Sequence, residues 1–172
     1  MIKILYQIFR TGIVTEPRPQ EIQAKIEEVG THLEKAVWKR FKRSLTIRQV
    51  DAGSCNGCEL EIHAMNNAIY NCEKYGIHFT ASPRAADVLL VTGPVSRNME
   101  IALRRTYNST PAPKLVVAAG DCGCNGGIFG ETYASLGGID KVIPVDLYIP
   151  GCPPTPTDLL AGLLRLMETM DG

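Results

Sequence analysis

Four of the six cysteines stand in three short blocks rich in glycine or proline. These are Gly53-Ser54-Cys55-Asn56-Gly57-Cys58, Gly120-Asp121-Cys122-Gly123 and Pro150-Gly151-Cys152-Pro153-Pro154. Thiolates are soft ligands, and four of them gathered from loops can hold a metal ion or an iron–sulfur cluster. The Cys55-x-x-Cys58 pair alone has several readings: a thiol–disulfide redox couple, half of a zinc site, or part of a cluster site. Structural zinc usually draws on two compact knuckles, whereas Cys122 and Cys152 are single and distant. A redox pair would need no further thiols.

The surrounding glycines fit a cluster. Sulfurs of a cluster accept hydrogen bonds from backbone N–H groups, and glycine lets the backbone come close. Gly53, Gly57, Gly93, Gly120, Gly123, Gly126, Gly127 and Gly151 fall in the expected loops. The remaining cysteines read differently. Cys72 is expected as a small buried apolar side chain. Cys124, two positions beyond Cys122, would be a fifth thiol, and Cys122 is the preferred ligand of the two.

These blocks must be positioned by strands. Leu45–Val50, Ile77–Ala81, Asp87–Thr92, Lys114–Ala119 and Val142–Ile149 read as strands, and the third and fourth are the continuous apolar runs of a buried parallel sheet. Helices are expected over Cys58–Cys72, Asn98–Asn108 and a final stretch opened by Thr155-Pro156-Thr157-Asp158, with Thr155 as N-cap and Pro156 at the first helical position. Strands alternating with helices predict an α/β domain with a mainly parallel sheet. In such sheets ligands sit beyond the carboxyl ends of the strands. All three cysteine blocks follow predicted strands, so they should meet at one edge.

Residues 1–43 read as an N-terminal arm and helix, and 44–172 as the compact domain. The arm holds Ile2, Ile4, Leu5, Ile8 and Phe9 before Gly12 and a break at Pro17-Arg18-Pro19. From Pro19 to Lys42 apolar residues recur at helical spacing, with Gly30 as a weak point that could split the helix. Lys35, Lys39, Arg40, Lys42 and Arg43 form a basic run read as a solvated helix face.

The whole chain has 172 residues, 18 basic and 18 acidic, so its formal net charge is zero. Nothing in that balance points to nucleic acid. No apolar run approaches the ~20 residues that span a bilayer. The cysteine content in such a chain suits a cytoplasmic setting in which thiols serve metal or redox chemistry.

Four stretches together carry a family resemblance. Cys55-Asn56-Gly57-Cys58-Glu59-Leu60-Glu61-Ile62, Ser82 to Val95, Gly120-Asp121-Cys122-Gly123 and Ile143 to Pro154 resemble the small subunit of energy-converting, membrane-associated [NiFe] hydrogenases. That family includes formate hydrogenlyase and Ech-type enzymes and is related to the cluster-bearing small subunit of respiratory complex I. The resemblance covers residues 44–168.

It implies a flavodoxin-like fold and one [4Fe–4S] cluster on Cys55, Cys58, Cys122 and Cys152. It also implies three kinds of partner: a large subunit carrying the Ni–Fe site, a ferredoxin-like iron–sulfur subunit and membrane subunits that hold the complex on the cytoplasmic membrane. The expected role is electron relay for H2 evolution or oxidation. The nearest competitor is the related complex I subunit, which serves quinone reduction. It has two adjacent cysteines at the first block, where this chain has a Cys-x-x-Cys. A zinc-stabilised binding module is the alternative from another class.

The resemblance further makes Glu61 a site residue, as a proton relay or a modulator of the cluster. The plain alternative is a carboxylate stabilised by the helix dipole. Arg84 and Asp87 match a family stretch and read either as large-subunit contacts or as a packed ion pair.

Overall fold

A computed structural model of the chain describes residues 2–12 and 20–169. Five strands form one sheet: β1 (Leu45–Asp51), β2 (Ile77–Phe79), β3 (Val88–Thr92), β4 (Leu115–Ala119) and β5 (Leu147–Ile149). Their order is β2-β1-β3-β4-β5, and every pairing is parallel. This is the flavodoxin-like order, in which the switch in strand order falls between β1 and β3. The expected α/β architecture with a parallel sheet is thus borne out.

β3 and β4 are buried at every position, which is why they read as unbroken apolar runs. Their side chains still alternate between two cores. Val88, Leu90, Leu115 and Val117 face one side, where they meet Leu33 and Val37 of α2 (Gln20–Phe41), Ile62 of α3 (Gly57–Ala64) and Leu160 and Leu163 of α6 (Pro156–Thr169). Leu89, Val91, Val116 and Ala118 face the other, with Leu103 of α4 (Arg97–Ser109) and Ile139, Val142 and Ile143.

The ends of elements follow local chemistry. Thr155 and Asp158 form the expected reciprocal cap: Asp158 N donates to Thr155 Oγ1 at 3.2 Å and Thr155 N to Asp158 Oδ2 at 3.1 Å. α3 stops at Ala64 rather than running to Cys72. Asn67 Oδ1 accepts from the Ile69 and Tyr70 N–H groups, at 2.8 and 3.0 Å, offering the backbone a turn in place of the helix. The last strand is also shorter than its apolar run. Val142 and Ile143 pack into the second core instead of pairing, and only Leu147–Ile149 joins the sheet.

The two N-terminal helices differ. α1 (Ile2–Thr11) is amphipathic and buries none of its residues. α2 runs unbroken through Gly30 and packs Ile26, Leu33 and Val37 inward. The ring of Tyr75 rests where a Gly30 side chain would be: an added Cβ would lie 2.3 Å from it. Gly30 is therefore a docking notch and not a helix break. The break expected at Pro17-Arg18-Pro19 lies outside the described residues. No described helix is long and apolar enough to cross a membrane.

Candidate cluster site at the carboxyl edge of the sheet

β1, β4 and β5 each end in a cysteine block, and all three blocks emerge at the carboxyl edge of the sheet. β3 lies between β1 and β4, so its end, Thr92-Gly93, forms the floor between the first block and the other two.

Each loop is braced by its own polar residues. After β1, Asp51 Oδ1 accepts from the N–H groups of Gly53 and Ser54 at 2.7 and 2.8 Å. Ser54 Oγ then accepts from Asn56 N at 2.9 Å. Asn56 takes a left-handed conformation, φ 72°, which its short polar side chain tolerates. It starts α3, which carries Cys58. After β4 and β5, Asp121 ties the second and third blocks together. Its N–H donates to Gly151 O at 2.9 Å, and Gly151 N donates to Asp121 Oδ1 at 2.7 Å.

Cys55 and Cys152 are exposed, while Cys58 and Cys122 are half-buried. The Cys58 thiol is pushed up to about 12, first by burial, then by Glu59 and by the thiols of Cys122, Cys55 and Cys152. Cys122 is raised too, by burial and then by Cys152 and Cys55. Cys58 thus lies within electrostatic reach of the other three sulfurs, and Cys122 within reach of Cys55 and Cys152.

Glycine makes room for two of these sulfurs. A Cβ on Gly120, φ 85°, would lie 2.6 Å from Cys58 Sγ, and one on Gly127, φ 53°, 2.8 Å from Cys122 Sγ. Cys122 and Cys152 line one hollow with Asp121, Asn125, Gly127 and Ile128. The donor set and the glycine cradle therefore suit a thiolate-held cluster. Among the described residues, no three His, Cys, Asp or Glu side chains close on the point that a single metal ion would occupy.

The other sequence candidates separate clearly. Cys72 is fully buried, its Sγ donating to Asn66 Oδ1 at 3.0 Å, and burial lifts it to about 11. Cys124 directs its Sγ towards the Ala118 carbonyl, 3.9 Å away, and is likewise lifted to about 11, with burial as the first cause. Glu61 is half-buried on α3. Asp87 does form an ion pair, but with Arg43, through two bonds of 2.6 and 2.8 Å, and it also accepts from Thr46 N at 3.1 Å. Arg84 is exposed.

Sequence reasoning overlooked Glu59. It is 5% exposed, while its neighbour Leu60 is 61% exposed. Both Glu59 oxygens accept hydroxyl hydrogen bonds, one from Ser54 and one from Thr92. The signal was present in helical phase. Glu59, Ile62 and Met65 recur at three-residue steps, and the two apolar members are buried.

A five-stranded parallel sheet with four free thiols on the loops at its carboxyl edge is an α/β frame of flavodoxin-like order. More narrowly, residues 55–166 match the family described as NADH ubiquinone oxidoreductase, 20 Kd subunit, and the chain belongs to that family. It is 45% identical over 146 residues to formate hydrogenlyase subunit 7 of Escherichia coli (strain K12), covering 85% of this chain and 57% of that one. It is 41% identical over 132 residues to the probable membrane-bound hydrogenase subunit mbhJ of Pyrococcus furiosus, covering 77% and 79% of the two chains. A chain of the membrane-bound sulfane sulfur reductase, an archaeal respiratory membrane complex, superposes with a TM-score of 0.67 at 38% identity, covering 80% of this chain and 76% of that one. This chain thus spans little more than half the length of the formate hydrogenlyase subunit.

Proposed function

We propose that the chain is the electron-transfer small subunit of a multisubunit [NiFe] hydrogenase and holds one [4Fe–4S] cluster on Cys55, Cys58, Cys122 and Cys152. The observation that carries this reading is the convergence of three cysteine blocks on one sheet edge, with Gly120 and Gly127 leaving space beside two of the sulfurs. A four-iron cluster supplies one-electron relay when bound, its potential set by ligation, hydrogen bonds and burial.

The chain's own residues bind and shield. Asp51 and Asn56 hold the first loop, and Asp121 locks the second loop to the third. An exposed apolar side chain flanks two of the thiols, Ile128, 89% exposed, in one hollow with Cys122 and Cys152, and Leu60 of α3 is exposed as well. Such side chains suit a covering subunit. In this proposal the cover is the Ni–Fe large subunit, a ferredoxin-like iron–sulfur subunit exchanges electrons with the site, and membrane subunits place the complex peripherally on the cytoplasmic membrane. The chain's spaced Cys55-x-x-Cys58 separates it from a quinone-reducing subunit with adjacent cysteines. Glu61 stands one turn beyond Cys58 as the candidate proton relay.

Anaerobic purification tests the cluster. The expected result is four iron atoms per chain with broad visible absorption, lost in Cys58→Ala and kept in Cys124→Ala. Stoichiometric zinc without iron would overturn the reading. Nickel in the purified complex separates hydrogenase from a quinone-reducing relative. For Glu61, Glu61→Gln should slow H2 turnover at least tenfold at unchanged cluster content; unchanged turnover removes it from the proton path.

A further inference from the structure

The first cysteine loop lies directly on the end of β3. Ala52 N donates to Thr92 O at 3.0 Å, and Ser96 N to Ala52 O at 2.8 Å. A Cβ on Gly93, φ 77°, would fall 2.5 Å from Ser54 N, so only glycine admits this approach. At the centre of the contact sits the Glu59 carboxylate. It is buried, follows Cys58 directly, and bridges the Ser54 hydroxyl of the loop to the Thr92 hydroxyl of the strand. Ser54 Oγ in turn accepts from Asn56 N within the Cys55-x-x-Cys58 turn.

A buried carboxylate costs stability unless its oxygens are hydrogen-bonded, and here both are. An apolar residue at 59 would fill the same space without that demand, as Ile62 and Met65 do on the same face. What the carboxylate adds is an anchor with a fixed negative end beside one thiol of the site.

We propose that Glu59 is a positioning residue for the cluster. It clamps the Cys55-x-x-Cys58 loop to β3 through Ser54 and Thr92, and it keeps an anionic oxygen beside Cys58 that disfavours the reduced state. The inference rests on the cluster reading and deepens it. Leu60 and Glu61, neighbours on the same turn, lie on other faces of α3 and do not reach this contact.

The test is a redox titration of the anaerobically purified full chain, followed by electron paramagnetic resonance, with iron content and melting temperature measured alongside. Wild-type chain without iron ends the cluster reading and this inference with it. With a loaded wild type, Glu59→Gln should favour the reduced state at least tenfold, a rise of about 59 mV for one electron. Thr92→Val removes one donor from the carboxylate at nearly constant volume and should move the midpoint the opposite way. If Glu59→Gln yields no folded protein, Thr92→Val decides the matter alone. A midpoint unchanged in every variant that loads, even with a lower melting temperature, reduces Glu59 to a structural brace and overturns the proposal.

Discussion

Gly120 shows how narrowly the site is cut at the level of single residues. Two demands coincide there: a backbone at φ 85° and a missing side chain where Cys58 Sγ stands. Gly130 meets only the first, with φ 55° and nothing within 4 Å of an added Cβ. The pair makes a controlled comparison. Gly130→Ala bears only an unfavourable positive φ, whereas Gly120→Ala must also hold φ 85° with ψ 156°, a conformation nearly confined to glycine, beside the Cys58 sulfur, so Gly120→Ala should lose more stability. Gly120→Ala alone should lose most of its iron, while Gly130→Ala should keep it. Equal iron contents would mean that the Cys58 sulfur can yield. Cys124 and Cys122 make a similar contrast, since two thiols on one short helix, α5 (Asp121–Asn125), face different surroundings. Cys122 is held among its fellow thiols, and Cys124 turns towards a sheet carbonyl.

At the level of elements, α2 is held by a notch, which seats Tyr75 of the turn before β2, as much as by an apolar stripe. Gly30→Ala would improve helix propensity by about 1 kcal/mol. It would also drive a methyl into the Tyr75 ring, and overpacking of that kind costs about 1–3 kcal/mol. The second effect should win, so Gly30→Ala is expected to lower the unfolding midpoint, and Gly30→Ala with Tyr75→Leu to recover part of it. A rise in the single variant would show that the ring moves aside.

Gly30 also marks where the sequence was legible and where it was not. The strands, the final helix with its Thr155 cap and the meeting of the cysteine blocks at one edge could all be read, because runs of β-branched residues and cap chemistry are local signals. The end of α3 and the start of β5 could not, since Asn67 and the second core decide them. Glu59 was missed because a buried acid and an exposed one look alike until the phase of Ile62 and Met65 fixes which side faces in. Leu60, an apolar residue turned outward, misleads in the same way. Local pattern and tertiary placement part company at α3 because this helix serves the site before it serves the core.

For the whole molecule, α1 stands apart. It carries six large apolar side chains, all exposed, and none of its residues is buried. Deleting Ile2–Thr11 should therefore change stability by no more than about 0.5 kcal/mol and leave the iron content as it was. Calorimetry and iron analysis of the shortened chain check this. A fall of several degrees in the unfolding midpoint would mean that the helix packs on the body. The remaining mass, from α2 to α6, encloses two cores on either side of one sheet, and the thiols sit at the rim where both cores end.

The reciprocal bonds between Asp121 and Gly151 have a consequence for how the protein is made. Cys55 and Cys58 leave the ribosome long before Cys152, and they cannot be joined by it until β5 has docked beside β4. That docking draws the third block to the second through Asp121. A nascent chain halted before residue 147 would hold three of the four site thiols, Cys55, Cys58 and Cys122, without Cys152. If the proposed cluster is held there, its loading waits for the close of the sheet, because the fourth thiol comes to the site only with β5.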